Sequence, residues 1–253
     1  MTTATLPLPT RRDEAWRYAD IEALGQLEAG ALDRWEALDL AAGESVTRCL
    51  LIGGAQPDVR RIRARLGEGA RAAFFVTNAG GDYTRLELEV HLARGSHFEF
   101  GGVTIGGGTA TREFVTTVLH AEPEATSSQT IRAVHWGQAT GNFLGQVKVA
   151  RHAQKTDAAQ DFKGLLLEAG ASANAVPQLE IFADDVKCAH GATVGALDEA
   201  ARYYMMARGL DPAAAQRLLV QAFIGDAFVA LADEAERAAL LEAALAALEG
   251  AGL

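Results

Sequence analysis

The chain has 253 residues, 49% of them hydrophobic, and carries 33 Asp and Glu against 23 Lys and Arg for a formal charge of −10. That apolar fraction excludes a disordered chain. The acidity argues against a face for nucleic acid or for an anionic membrane surface. Two cysteines, Cys49 and Cys188, are too few for a disulfide-stapled domain or a four-thiolate metal site.

In chain order, residues 1–44 read as a short polar, helix-leaning segment. Pro7 and Pro9 open an extended lead. Trp16 and Trp35 are candidate anchors, and Ala41-Ala42-Gly43 reads as a break. The opening MTTATLPLPTRR has no apolar core of a secretory signal, and no apolar run approaches the roughly 20 residues that span a bilayer. The expectation is a cytoplasmic chain with reduced thiols.

From 45 to 195 the pattern has period two. Leu86 to Leu92 alternates apolar and polar, as do Phe98-Glu99-Phe100, Val147-Lys148-Val149 and Leu179-Glu180-Ile181. Such alternation buries one side of a strand and wets the other. Gly, Asn and Asp punctuate the runs, and no amphipathic helix of 10 or more residues intervenes, which argues against βαβ units. An antiparallel sandwich, a barrel and a solenoid of short strands all fit, and no strict repeat selects among them. The glycine-rich Gly101 to Gly108 stretch lacks a Walker lysine and fits tight turns between strands, so no nucleotide is expected on this chain.

Residues 196–253 read as helical. Asp198-Glu199 opens a helix that closes at Arg208-Gly209. Asp211-Pro212 supplies an N-cap and a proline at the first helical position. Leu218, Leu219, Ala222, Phe223 and Leu231 form an apolar stripe, and Asp233 with Glu236 resembles a capping box. Met205-Met206 is expected in the core.

The stretch carrying chemistry is Asp184-Asp185-Val186-Lys187-Cys188-Ala189-His190-Gly191. On an extended strand Cys188 and His190 share a face and present a thiol and an imidazole together, a pair suited to iron or an iron–sulfur cluster. A cluster takes four ligands, so the others would come from a second chain. A Cys–His protease dyad lacks an orienting third group. His91, His97, His120, His135 and His152 are dispersed, and no carboxylate pair suggests a glycosidase.

The run from Pro177 to Glu199, continued by Tyr203-Tyr204 and Arg208-Gly209-Leu210, resembles the signature of the SufB/SufD family of iron–sulfur cluster assembly proteins. Arg12-Asp13-Glu14-Ala15-Trp16-Arg17-Tyr18 is similar to a second landmark of that family. Ala189 departs from the serine expected between the candidate ligands, and the helical segment 1–44 is short for the family. The resemblance implies a right-handed parallel β-helix of short rungs over 45–195, with helical termini and a C-terminal helical domain over 196–253. It implies a non-enzymatic scaffold subunit that shares a transient cluster or iron with a SufB-like subunit through the β-helix. His190 is the implicated metal ligand, with Cys188 beside it. It further implies that the C-terminal helices dock a SufC-like ATPase, for which Asp198, Glu199, Tyr203, Tyr204 and Arg208 are the candidate contacts. The rival readings are a carbohydrate-acting enzyme on a β-helix or sandwich, and a self-associating β-helical homodimer without a cluster role.

Overall fold

A computed structural model describes residues 8–251. Pro7 of the expected extended lead lies outside the described residues, as do the others of 1–7. The twelve strands are β1 (Glu36–Leu40), β2 (Ser45–Ile52), β3 (Asp58–Leu66), β4 (Arg71–Asn78), β5 (Tyr83–Leu92), β6 (His97–Gly106), β7 (Thr111–His120), β8 (Thr126–His135), β9 (Thr140–Val149), β10 (Asp157–Leu166), β11 (Ser172–Ile181) and β12 (Lys187–Gly195). They form two six-stranded sheets, ordered β1-β3-β5-β7-β9-β11 and β12-β10-β8-β6-β4-β2, with every recorded pairing parallel. Alternate strands thus enter alternate sheets. Each pair of strands is one turn of a β-helix, and of the architectures that fitted the alternation the solenoid is the one adopted. Parallel neighbours need no helical crossover here, because the returning strand of the opposite sheet makes the connection.

The spacing between stacked residues explains why no repeat is visible in the sequence. Glu36 faces Ile62, 26 residues on, whereas Thr140 faces Ser172, 32 residues on. Turns of unequal length erase a fixed period while leaving the inward and outward alternation intact. Strand β1 falls within the segment expected to be helical, with Leu38 and Leu40 packed on the core and the Gly43 turn, at φ 73°, leading into β2.

Between the sheets runs a dry core in which Phe74, Phe98, Phe100, Phe114, Phe143 and Phe162 are each at most 1% exposed. Phe100 and Phe114 meet edge to face at 5.2 Å, and Phe143 stacks on Phe162 at 5.9 Å. Each such ring contributes about 1.5–3 kcal/mol by leaving water.

The outer faces are covered as well, which is why Phe74-Phe75-Val76 does not alternate. Phe75, Val103, Ile105 and Val134 on the second sheet pack against Val220, Ile224, Phe228 and Leu240. These last belong to α3 (Pro212–Gly225), the 3-10 turn Asp226–Phe228 and α4 (Glu234–Ala247). Gly101 and Gly102 lie inside β6, not in a turn as expected from sequence. A Cβ on Gly101 would collide with the Ala227 carbonyl, and one on Gly102 with Phe114 and Phe100. Glycine here permits close approach of helix to sheet and of ring to strand.

The first sheet is covered by the N-terminal segment, which includes α1 (Ile21–Leu24). The Arg85 guanidinium, fully buried, sits 3.8 Å from the centroid of Trp16, donates to the Ala15 carbonyl at 2.8 Å and pairs with Glu113 and Glu87, both at 3.2 Å. Trp35 is held between Arg61 and Arg63. Both tryptophans are therefore anchors, through cation–π contact.

The C-terminal caps follow the sequence closely. Asp198, Asp211 and Asp233 each accept two backbone N–H bonds, and Gly209 takes φ 94°. The phase of the apolar stripe differs. On α3 the buried positions are Ala215, Val220 and Ile224, while Leu218 is 44% exposed. Met206, expected in the core, is likewise exposed. Glu236 does not complete a reciprocal box; it turns toward Cys49, and burial together with the Glu236 and Asp233 carboxylates raises that thiol to about 11.

Candidate functional site

Strands β11 and β12 are the last members of their sheets, so the final turn of the solenoid stacks on β9 and β10 by one edge only. Among the described residues, no strand meets the backbone N–H and C=O groups of their other edge. Inward-facing positions of this turn follow from register. On β12 they are Cys188 over Ala158, His190 over Gln160, Ala192 over Phe162 and Val194 over Gly164. On β11, Ala173, Ala175, Leu179 and Ile181 lie over Gly141, Phe143, Val147 and Val149. The end of the β-helix is thus an apolar floor bearing one imidazole and one thiol, and Ile181 and Val194 on it are exposed.

The sequence-identified pair is therefore brought to one face, as the alternation required. Its members differ in setting. Cys188 packs with Val147, Val149, Ala158 and Ala183, and burial pushes its thiol up, the Asp157 carboxylate adding to the shift. His190 is exposed at the rim. A thiol held protonated is a poor donor to a metal, since the thiolate is the ligand. Among the described residues, no three His, Cys, Asp or Glu side chains gather in a metal-holding group. This chain's described residues thus offer two inward-facing donors at the open turn, fewer than the four a cluster takes.

His190 ends a single file of stacked inward residues that runs the length of the second sheet. The file is Arg48, Phe74, Phe100, Gln129, Gln160 and His190, each in register with the next. At the opposite end the chain seals itself: Arg48 lies over the Phe74 ring at 5.8 Å and pairs with Glu36, placing charge over the core where another sheet would stack. Among the described residues, no Asp, Glu, Lys or Arg stands at an inward-facing position of β11 or β12 to cap the floor at the His190 end. Sequence reading missed this file because stacked partners are separated by 26, 26, 29, 31 and 30 residues, and only the register aligns them.

The helical candidates sit on α2 (Glu199–Ala207), which buries no residue. Asp198 spends its carboxylate on the cap of α2, and Glu199 pairs with Arg202 at 3.2 Å. Tyr203 is 74% and Tyr204 60% exposed, and the Arg208 guanidinium lies 5.0 Å from the Tyr204 ring centroid. Met206 on α2, Leu210 in the turn that follows it and Leu218 on α3 are exposed as well.

Of the other histidines, His120 and His135 are buried in the fold, while His91 and His152 are exposed. His135 is fully buried against Thr104 at 3.1 Å, and burial, with Arg112 nearby, lowers it to about 3. His120, beside Ser127 at 2.9 Å, is lowered by burial to about 4. The carboxylates Glu87 and Glu113 on the first sheet's outer face are tied to arginine and tyrosine groups. They do not form the free pair that glycoside hydrolysis uses.

Residues 47–223 match the core domain of the SufBD proteins of the SUF system for FeS cluster assembly. The iron-sulfur cluster assembly protein SufD of Escherichia coli is 45% identical over 92 residues, which are 36% of this chain and 22% of that protein. A SufBD family protein of Synechocystis is 32% identical over 161 residues, 63% of this chain and 36% of its own length. SufD of Bacillus subtilis is 33% identical over 122 residues, 48% of this chain and 28% of its own. The matches thus span well under half the length of these relatives. With more than half of its residues inside the matched domain, the chain belongs to the SufB/SufD family of the SUF iron–sulfur cluster assembly system.

Proposed function

We propose that the chain is a non-catalytic scaffold subunit for iron–sulfur cluster assembly, in which His190 supplies one ligand to a nascent cluster shared with a SufB-like subunit. The observation that carries this reading is the asymmetry of the solenoid. One end is capped by the Arg48–Glu36 pair, and the other presents open strand edges, an apolar floor and an exposed imidazole. A second β-helix stacking there would pair the free edges, bury Ile181 and Val194, and bring its own donors to His190. The cluster is cargo in this scheme, assembled at the junction and released. Cys188 lines the junction, its thiol shielded by the neighbouring apolar side chains.

A SufC-like ATPase is the proposed occupant of the exposed face of α2 and α3. Movement there has a short route to the junction. The Arg132 guanidinium, 2% exposed, is gripped by Asp226 just after α3 and by Asp161 on β10, the strand that pairs with β12. Pulling Asp226 therefore loads the strand directly beneath His190. No helix among the described residues is long and apolar enough to cross a membrane, and a cytoplasmic setting is part of the proposal.

The experiment is co-expression with a SufB-like and a SufC-like subunit, followed by size-exclusion chromatography of the wild-type chain and of Val194→Asp. The wild type elutes in a heterocomplex, and a charge on the open floor releases the SufB-like subunit while α2–α3 binding survives. A Val194→Asp chain that retains the SufB-like subunit contradicts the reading. A homodimer that excludes that subunit does so as well.

A further inference from the structure

The outer face of the first sheet carries a register-aligned file of its own, and every step of it is hydrogen-bonded. Arg85, Glu113, Asn142 and Asn174 stand opposite one another on β5, β7, β9 and β11. One oxygen of the Glu113 carboxylate accepts from the Tyr83 hydroxyl at 2.6 Å and from Arg85 at 3.2 Å. The other accepts from Asn142 Nδ2 at 3.0 Å, which also donates to the Tyr18 carbonyl at 3.4 Å. Asn142 Oδ1 in turn accepts from Asn174 Nδ2 at 2.8 Å. The order is directional. A carboxylate held by arginine accepts only, so the NH2 of Asn142 faces Glu113 and its oxygen faces β11. The same orientation repeats at Asn174, as in stacked amide ladders, and leaves Asn174 Oδ1 as the corner of the amide turned from β9. Strand β11 is the last of its sheet, so the ladder ends at the open turn on an acceptor. Among the described residues nothing donates to it. Two residues along the same face, Val115, Leu144 and Val176 form an apolar file, which with Glu14, Tyr18 and Gln178 lines a cleft of about 180 Å³. Gln178 Nε2 donates to Glu14 Oε1 at 2.8 Å, tying the N-terminal segment to the last strand.

We infer that this ladder continues into the partner subunit and sets the register of the junction. The strand of a SufB-like β-helix that stacks on β11 carries a side-chain N–H or O–H donor opposite Asn174 and an apolar side chain opposite Val176. The inference rests on the junction proposed above and adds what aligns it. Backbone pairing alone tolerates a slip of two residues, because that slip keeps every side chain on its own face. Here such a slip sets an apolar side chain over Asn174 Oδ1, which loses water without gaining a donor, and an acceptor left unpaired in this way is costly. The direction of the ladder also selects the occupant. Two copies of this chain meeting at Asn174 set acceptor against acceptor, so the complementary strand belongs to a chain of different sequence.

The test is titration calorimetry of a SufB-like subunit with the full chain and with Asn174→Leu, which keeps the volume of the side chain and removes the acceptor. The ladder predicts binding about tenfold weaker for Asn174→Leu, the loss of one hydrogen bond at a closed interface. If Asn174→Leu does not fold, Asn174→Ala is read in its place with the same expectation. Equal or tighter binding by the variant marks a purely apolar contact and overturns the ladder, while the heterocomplex seen by size-exclusion chromatography stands. If the wild-type chain forms no heterocomplex, the junction and the ladder fall together. In the chain labelled with 15N-asparagine, the Asn174 side-chain amide signals, assigned by their loss in the variant, move downfield on binding as Oδ1 gains a donor; signals that stay in place overturn the ladder as well. Sedimentation of the chain alone reads a second copy as the occupant: a homodimer that Asn174→Leu disperses overturns the assignment to a SufB-like strand.

Discussion

The carbonyl oxygen of Ala227 occupies the space that a side chain on Gly101 would fill. This contact seats the Asp226–Phe228 turn on the middle of β6 and fixes how the C-terminal helices meet the β-helix. Gly101→Val forces the turn off the sheet, and overpacking of this kind costs about 1–3 kcal/mol. The expected outcome is a lower urea midpoint together with faster proteolysis between residues 196 and 211. An unchanged midpoint would mean that the turn is not held there.

Stability depends on pH through two histidines. Burial holds His135 at about 3 and His120 at about 4, against an ordinary value near 6.5. Below pH 6.5 the unfolded chain takes up protons at both rings while the folded chain does not. Unfolding is therefore favoured as pH falls, by about 1.4 kcal/mol per pH unit for each ring until the folded-state values are reached. Above pH 6.5 this contribution is flat. Denaturation midpoints measured at pH 7.5, 6 and 5 should fall across the series, and His135→Asn with His120→Asn should flatten the fall. An equal slope in the double variant would assign the acid sensitivity elsewhere.

Much of this architecture was legible in the residues. Alternation in Leu86–Leu92 and Leu179–Ile181 marks inward positions, and the Asp198, Asp211 and Asp233 caps with Gly209 mark the helices, because these signals are local. The stacking was not legible. Which residue lies over which depends on turn lengths that vary from one rung to the next, so Gln160 and Gln129 gave no signal of standing behind His190. The phase of α3 also escaped, since leucines on both of its sides make the stripe ambiguous and the sheet selects Val220 and Ile224 over Leu218.

Tyr203 and Tyr204 separate packing from docking. Both are largely exposed on a helix that buries nothing. Replacing both with Ala should alter unfolding stability by no more than about 0.5 kcal/mol for each, as for other surface positions. If they anchor a SufC-like ATPase, each removes about 2 kcal/mol of binding, roughly 30-fold in Kd. Titration calorimetry with the ATPase subunit reads this directly. Unchanged affinity in the double variant would leave α2 without a role in that contact.

The central claim is that the exposed imidazole at the open turn ligates a cluster held between two subunits. Iron and sulfide are added to the reconstituted complex carrying wild type, His190→Ala or Cys188→Ala, and the visible absorbance and iron content of the product are measured. The account predicts that His190→Ala forms the complex but loses most of its cluster, and that Cys188→Ala loses less. A His190→Ala complex that assembles its cluster at the wild-type rate and yield would contradict it.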